Sequence, residues 1–173
     1  MRDGGDDGAG VRARGLAEEL SAAAIAGGVK VATAESCTGG LLAAAITDLP
    51  GASGCFAGGI VAYANDIKVR HLGVDPGPLE SDGAVSETVA LQMAAGACRR
   101  FRADLSMAVT GIAGPGGGTP EKPVGTVWMA VGSLRGTGWA RRALFEGDRP
   151  TVRARSVEQV LSMAVDLIER EIS

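Results

Sequence analysis

Histidine, lysine and aromatic residues are scarce in this chain, and each scarcity excludes something. A single histidine, His71, in 173 residues rules out a cluster of histidine ligands, and a metal site is not expected. Aromatic residues make up 3% although 46% of the chain is hydrophobic, so the core must be built from Ala, Val, Leu and Ile. That composition suits helices packed closely on a sheet. The three cysteines, Cys37, Cys55 and Cys98, are odd in number and widely spaced, and form no C-x-x-C pair. With no apolar segment at the start, they predict a reducing, cytoplasmic setting. No unbroken apolar run approaches the roughly 20 residues of a membrane span, so no membrane partner is expected. Acidic residues outnumber basic ones by 20 to 17, a formal charge of −3, and no basic field points to nucleic acid.

Glycine is abundant at 27, gathered in clusters as functional turns require. The length suits one domain, read as residues 11–173 after a disordered tail over 1–10, where Asp3, Asp6 and Asp7 stand among glycines. Leu16, Leu20, Ala23 and Ala24 recur at helical spacing and predict a helix from Val11 to Ala26, ended by Gly27-Gly28. A strand over Val29–Thr33 and a helix over Leu41–Ile46 flank the turn Ala34-Glu-Ser-Cys-Thr-Gly-Gly40. Gly54 to Ala64 reads as extended and runs into a short helix bearing Ile67, His71 and Leu72, with Asn65 or Asp66 as its cap. Gly73 to Asp82, with Pro76 and Pro78, reads as a loop. A helix from Ser86 to about Phe101 carries the stripe Val89, Met93, Ala97 and Phe101, and Leu105–Val109 is a buried strand. Val124–Ser133 and Thr137–Phe145 form a hairpin, and Pro150 opens a last helix. This order predicts an α/β protein, a three-layer α/β/α sandwich with a mixed, mostly parallel sheet.

Chemistry concentrates in the turn after the first strand. Ser36, Cys37 and Thr38 are three candidate nucleophiles beside the unpaired amides of a helix start, where a Ser or Thr cap is the competing reading. A helix N-terminus would also lower the pKa of Cys37. The cluster Gly111-Ile-Ala-Gly-Pro-Gly-Gly-Gly-Thr119 follows a buried strand, where backbone amides can approach an anion. It is not a P-loop, because no Gly-Lys-Ser/Thr ends it, nor a dinucleotide fingerprint, because a strand follows. Lys68 is one of only three lysines, and a desolvated lysine can serve as a neutral base, as arginine cannot. A Ser–Lys pair needs no histidine, yet spacing alone favours Lys68 as a solvated helix residue and Tyr63 as a core residue with a wet hydroxyl. His71 is a further candidate base, and Arg149 or Arg153 a candidate phosphate clamp.

Five segments in succession carry a resemblance. Ala34 to Gly40, Gly59-Ile-Val-Ala-Tyr-Ala-Asn-Asp-Ile-Lys68, Gly83-Ala-Val-Ser-Glu87, Thr110 to Gly118, and Gly147-Asp-Arg149 with Arg153 resemble the motifs of the CinA C-terminal domain family, from about Leu16 to Glu169. That family includes stand-alone nicotinamide-nucleotide amidohydrolases. The resemblance implies hydrolysis of the carboxamide of nicotinamide mononucleotide to nicotinic acid mononucleotide and ammonia, a pyridine nucleotide salvage step. It implies Ser36 as nucleophile, Lys68 as general base and Tyr63 as the hydroxyl that positions them. The expected substrate-binding set is Cys37, Thr38, Gly39 and Gly40, which supply oxyanion amides, with Asn65, Thr110, Gly111, Ala113, Gly114, Gly116, Arg149 and Arg153. No metal or organic cofactor and a homodimer or higher homo-oligomer are also implied. The alternatives are a non-catalytic nucleotide-binding or regulatory module and an amidase for another carboxamide.

Overall fold

The computed structural model describes residues 6–172. Six α-helices and five strands follow one another as α1 (Asp6–Gly27), β1 (Val31–Glu35), α2 (Leu41–Thr47), β2 (Phe56–Val61), α3 (Asn65–Leu72), α4 (Pro76–Ser81), α5 (Glu87–Phe101), β3 (Leu105–Gly111), β4 (Thr126–Ser133), β5 (Gly138–Leu144) and α6 (Arg149–Ile172). Among them, no helix is long and apolar enough to cross a membrane.

The strands form one sheet in the order β2-β1-β3-β4-β5. β1 pairs in parallel with β2 and β3, whereas β3–β4 and β4–β5 are antiparallel. The sheet is therefore mixed, half parallel and half antiparallel, which corrects the mostly parallel expectation. The terminal hairpin accounts for the β4–β5 pair, because its short connection can join only antiparallel strands, and the loop over 112–125 reverses the chain between β3 and β4 with no crossover helix. One face packs Leu20, Leu42, Ile46, Met107, Leu161 and Ile168 against α1, α2 and α6. The other packs Ala32, Ala34, Leu72, Met93, Ala97 and Ala108 against α3 and α5. Small side chains dominate this second face, so its helices lie close to the sheet and to each other. At Gly96 of α5 a Cβ would stand 2.0 Å from the Leu72 carbonyl oxygen at the end of α3.

Two local expectations are revised. Asp6 to Gly10, read as the end of a tail, is helical, while residues 1–5 lie outside the described residues. Extending a helix already nucleated downstream costs little per residue. The segment read as a proline-broken loop contains α4: Asp75 caps it by accepting the Gly77 amide at 2.9 Å, and Pro76 stands in its first turn, where no N–H is needed.

β1 is central to the parallel half. Its connection to β2 runs through α2 on one face, and the return from β2 to β3 runs through α5 on the other, so the crossovers diverge at its carboxyl end. A sheet opens a crevice at such a switch point. Ser36 follows β1 there, and the glycine cluster follows β3.

Because α5 meets α3 through Gly96, Gly96→Ala is expected to destabilise the fold by about 2 kcal/mol through overpacking. Urea unfolding checks this as a lowered midpoint at unchanged slope.

Candidate active site

Lys68 is the largest fully buried side chain among the described residues, 1% exposed. It shares the inner face of α3 with Leu72, while His71 points outward and is exposed. Its Nζ lies 2.8 Å from the Ala62 carbonyl oxygen, 3.3 Å from that of Tyr63 and 3.2 Å from Ser36 Oγ. Carbonyl oxygens only accept, so two N–H groups are directed to Ala62 and Tyr63. The remaining tetrahedral position faces Ser36, holding a third N–H when the amine is charged and its lone pair when it is neutral. Burial lowers the Lys68 pKa from its ordinary value of 10.5, opposed only by the Cys37 thiolate charge.

That thiolate does not form near neutrality. The Cys37 side chain lies in the core, and burial pushes its pKa up to about 11 against the smaller pull of its own amide, Arg153 and Arg149. The expected lowering by the helix terminus is thus reversed, because desolvation of the thiolate outweighs it. Of the three candidate nucleophiles only Ser36 has a base beside it. Thr38 Oγ1 is buried without a partner.

Neither Ser36 nor Thr38 caps α2. Its N-cap is Gly40, held at φ 100° with no side-chain cap of its own. Its amides are taken by Glu35, whose carboxylate accepts from Gly40 at 3.0 Å, Leu42 at 3.0 Å and Ala43 at 2.8 Å while 1% exposed. Sequence reasoning missed this residue. A glutamate five positions before the N-cap glycine, directly ahead of a tight turn, was the available signal.

The turn between is pinned on all sides. Ser36 N–H donates to the Val109 carbonyl at 2.9 Å, Gly39 N–H to the Ser36 carbonyl at 3.0 Å, and Arg153 to the Thr38 carbonyl at 2.7 Å. The Gly39 and Gly40 amides, expected to face an oxyanion, are therefore spent. Among the described residues, the amides of Cys37 and Thr38 have no acceptor from another residue.

Tyr63 reaches Lys68 through its carbonyl. Its hydroxyl, expected at the Ser36–Lys68 pair, instead accepts from Arg149 Nη2 at 2.9 Å, with the side chain 60% exposed. Arg149 stands in the first turn of α6, which Asp148 caps by accepting Thr151 N–H at 3.0 Å. Its Nη1 donates to the Gly114 carbonyl at 2.9 Å, so Arg149 bridges Tyr63 and the glycine cluster.

Other expected binding residues serve the fold. The Thr110 hydroxyl donates to the Ala84 carbonyl at 2.8 Å, and Ala113 packs in the core. At Gly111 a Cβ would stand 2.7 Å from the Val127 side chain, and at Gly114, with φ +82°, one would stand 2.5 Å from that of Val124. Gly116 is open to solvent. Asn65 is the exposed first residue of α3; the N-cap is Ala64, and neither Asn65 nor Asp66 caps. Asp66 instead pairs with Arg70 one turn on. A groove between α1, α2 and α6, about 360 Å³, is lined mostly by Ala13, Leu41, Ala45, Leu49 and Val157 and holds no nucleophile–base pair.

The family model described as the CinA C-terminal domain matches residues 13–168. The chain belongs to the CinA C-terminal domain family. CinA-like proteins of Chlorobaculum tepidum and Mycobacterium tuberculosis are 53% and 52% identical to it over 146 residues. The matches cover 82% and 84% of this chain but 34% and 33% of those proteins, so the chain spans about a third of the length of these curated relatives. A competence/damage inducible protein CihA from Agrobacterium tumefaciens superposes with a TM-score of 0.89 at 43% identity, over 90% of this chain and 95% of that one. A CinA superfamily protein from Escherichia coli gives 0.85 at 39% identity, over 90% of each chain. In this CinA domain the five motifs meet through side-chain contacts: Lys68 reaches Ser36, Thr110 bonds Ala84, Arg149 bonds Gly114 and Arg153 bonds Thr38.

Glu35→Ala is expected to lower stability on the order of 3 kcal/mol, since it strips three amides of a charged acceptor inside the fold. Chemical denaturation checks this, and a loss below about 1 kcal/mol contradicts the capping role.

Proposed function

We propose that the protein hydrolyses the carboxamide of nicotinamide mononucleotide to nicotinic acid mononucleotide and ammonia, with Ser36 as nucleophile and Lys68 as base. The observation that carries this reading is the Lys68 amine, buried with no ion-pair partner among the described residues and 3.2 Å from Ser36 Oγ. Such an amine is driven toward its neutral form, and its lone pair then faces the serine hydroxyl.

Lys68 takes the hydroxyl proton as Ser36 Oγ bonds to the carboxamide carbon, and the carbonyl π electrons move onto oxygen. The free Cys37 and Thr38 amides receive that oxyanion, at about 3 kcal/mol per donor in comparable enzymes. The oxyanion collapses, the C–N bond breaks, and the proton on Lys68 passes to the departing nitrogen, giving ammonia and an acyl-enzyme. Water, deprotonated by Lys68, then attacks the ester. The acid leaves and Ser36 recovers its proton. Arg149, on the rim between Tyr63 and the glycine cluster, is the arginine assigned to the substrate phosphate.

Ser36→Ala and Lys68→Met are each expected to reduce ammonia release from the mononucleotide on the order of 10³-fold. Circular dichroism verifies folding. Undiminished release from either folded variant contradicts the reading. Thermal stabilisation by the mononucleotide with no ammonia from the parent protein identifies a binding module instead.

The base is the neutral amine, so kcat/KM is expected to rise with pH through the lowered Lys68 pKa and level off below 10.5. Folding stability follows the same sign. Between the lowered pKa and 10.5 the unfolded chain binds a proton at Lys68 that the folded chain gives up, so the Lys68 contribution to stability rises with pH across that window. A pH–rate profile checks the first statement, and denaturation at several pH values checks the second.

A further inference from the structure

Arg153 differs from the other late arginines in that it is spent inside the nucleophile turn. From α6 it donates through Nη2 to the Thr38 carbonyl at 2.7 Å, and its Nε is buried without a partner. The turn makes room for it at Gly39, where a Cβ would stand 3.3 Å from the same nitrogen.

The Thr38 carbonyl shares a peptide group with the Gly39 N–H, which donates to the Ser36 carbonyl at 3.0 Å. That carbonyl shares a peptide group with the Cys37 N–H, whose hydrogen has no acceptor from another residue among those described. Guanidinium, Gly39 amide and Cys37 amide therefore act in series. Each donation to a carbonyl draws electron density from its peptide group and strengthens that group's own N–H as a donor. Hydrogen-bond chains polarise cooperatively in this way, most strongly where water is excluded. The start of α2 adds only an uncharged and longer donation to the same Thr38 carbonyl, from the Leu41 amide at 3.2 Å, while the Glu35 carboxylate takes the Gly40, Leu42 and Ala43 amides. The charge of Arg153 does reach this point: of the two arginines that oppose the burial-driven rise of the Cys37 thiol, it acts more strongly.

Resting on the Ser36 amidase reading, we propose that Arg153 is a positioning residue that polarises the Cys37 amide through two peptide groups toward the oxyanion, and is not a clamp on the substrate phosphate. Arg153→Met and Arg153→Lys are assayed on nicotinamide mononucleotide and on the riboside, which lacks the phosphate. In Arg153→Met, kcat is expected to fall about tenfold on both substrates with KM within about twofold, since a donor is weakened but not removed. Arg153→Lys, which restores charge without the planar fork, recovers part of the loss. A phosphate clamp gives another pattern: KM for the mononucleotide rises while the riboside is unaffected, and that result overturns the proposal. Unchanged kcat on both substrates overturns it too.

A second readout needs no turnover. In the 1H–15N spectrum of the unliganded protein, the Gly39 and Cys37 amide protons are expected to move upfield in Arg153→Met and less in Arg153→Lys. Should the methionine variant not fold, the lysine variant carries both tests. Unmoved Gly39 and Cys37 resonances overturn the relay. Shifted resonances in a protein whose parent releases no ammonia from either substrate leave the relay standing and overturn the amidase reading.

Discussion

A buried lysine with no ion-pair partner among the described residues is the constraint on which the rest of this structure turns. An ammonium held away from water without a counter-ion is costly, and the cost falls when the amine gives up its proton. Lys68 sits among three oxygen atoms, two of them backbone carbonyls that orient its N–H groups and one the Ser36 hydroxyl. Removing water thus both favours the neutral amine and directs it at Ser36. The same burial explains why the packing nearby is so tight: α3 must seat Lys68 and Leu72 together, and α5 admits that helix only through the bare backbone of Gly96.

The second organising element is the turn that presents Ser36. Its start, middle and end are held by β3, α6 and Glu35, three parts of the chain far apart in sequence or on opposite sides of the turn. A charged acceptor at a helix start satisfies amides and the helix dipole alike. Here that leaves no donor at the start of α2 for a ligand. Among the described residues, the amides without an acceptor from another residue close to Ser36 are those of Cys37 and Thr38, while Arg149 stands on the rim between Tyr63 and the glycine cluster.

Much of the fold was legible because its signals were local. Ser86 caps α5 by accepting the Val89 amide at 3.4 Å, as a serine ahead of a regular apolar stripe implies. The hairpin and the final helix follow from alternation, a glycine turn and a proline in the first helical turn. Errors arose where one residue type has two uses. Pro76 and Pro78 break a helix interior but also suit a first turn, and only the Asp75 cap distinguishes the two. Thr38 and Ser36 are ordinary caps by composition, yet a glutamate one strand residue earlier reaches those amides first.

At the site, the chain by itself determined the inventory: a serine in a glycine-rich turn, a rare lysine, a tyrosine, a glycine cluster and the late arginines, in an order that resembles one family. Which of these meet was decided only by the tertiary structure. Ser36 and Lys68 are 32 residues apart, and parallel pairing of β1 with β2 brings the chain back beside itself before α3 turns Lys68 inward. Burial, which no residue carries in its own identity, then shifted neighbouring groups in opposite directions, lowering the pKa of the Lys68 amine and raising that of the Cys37 thiol, so that both favour their neutral forms.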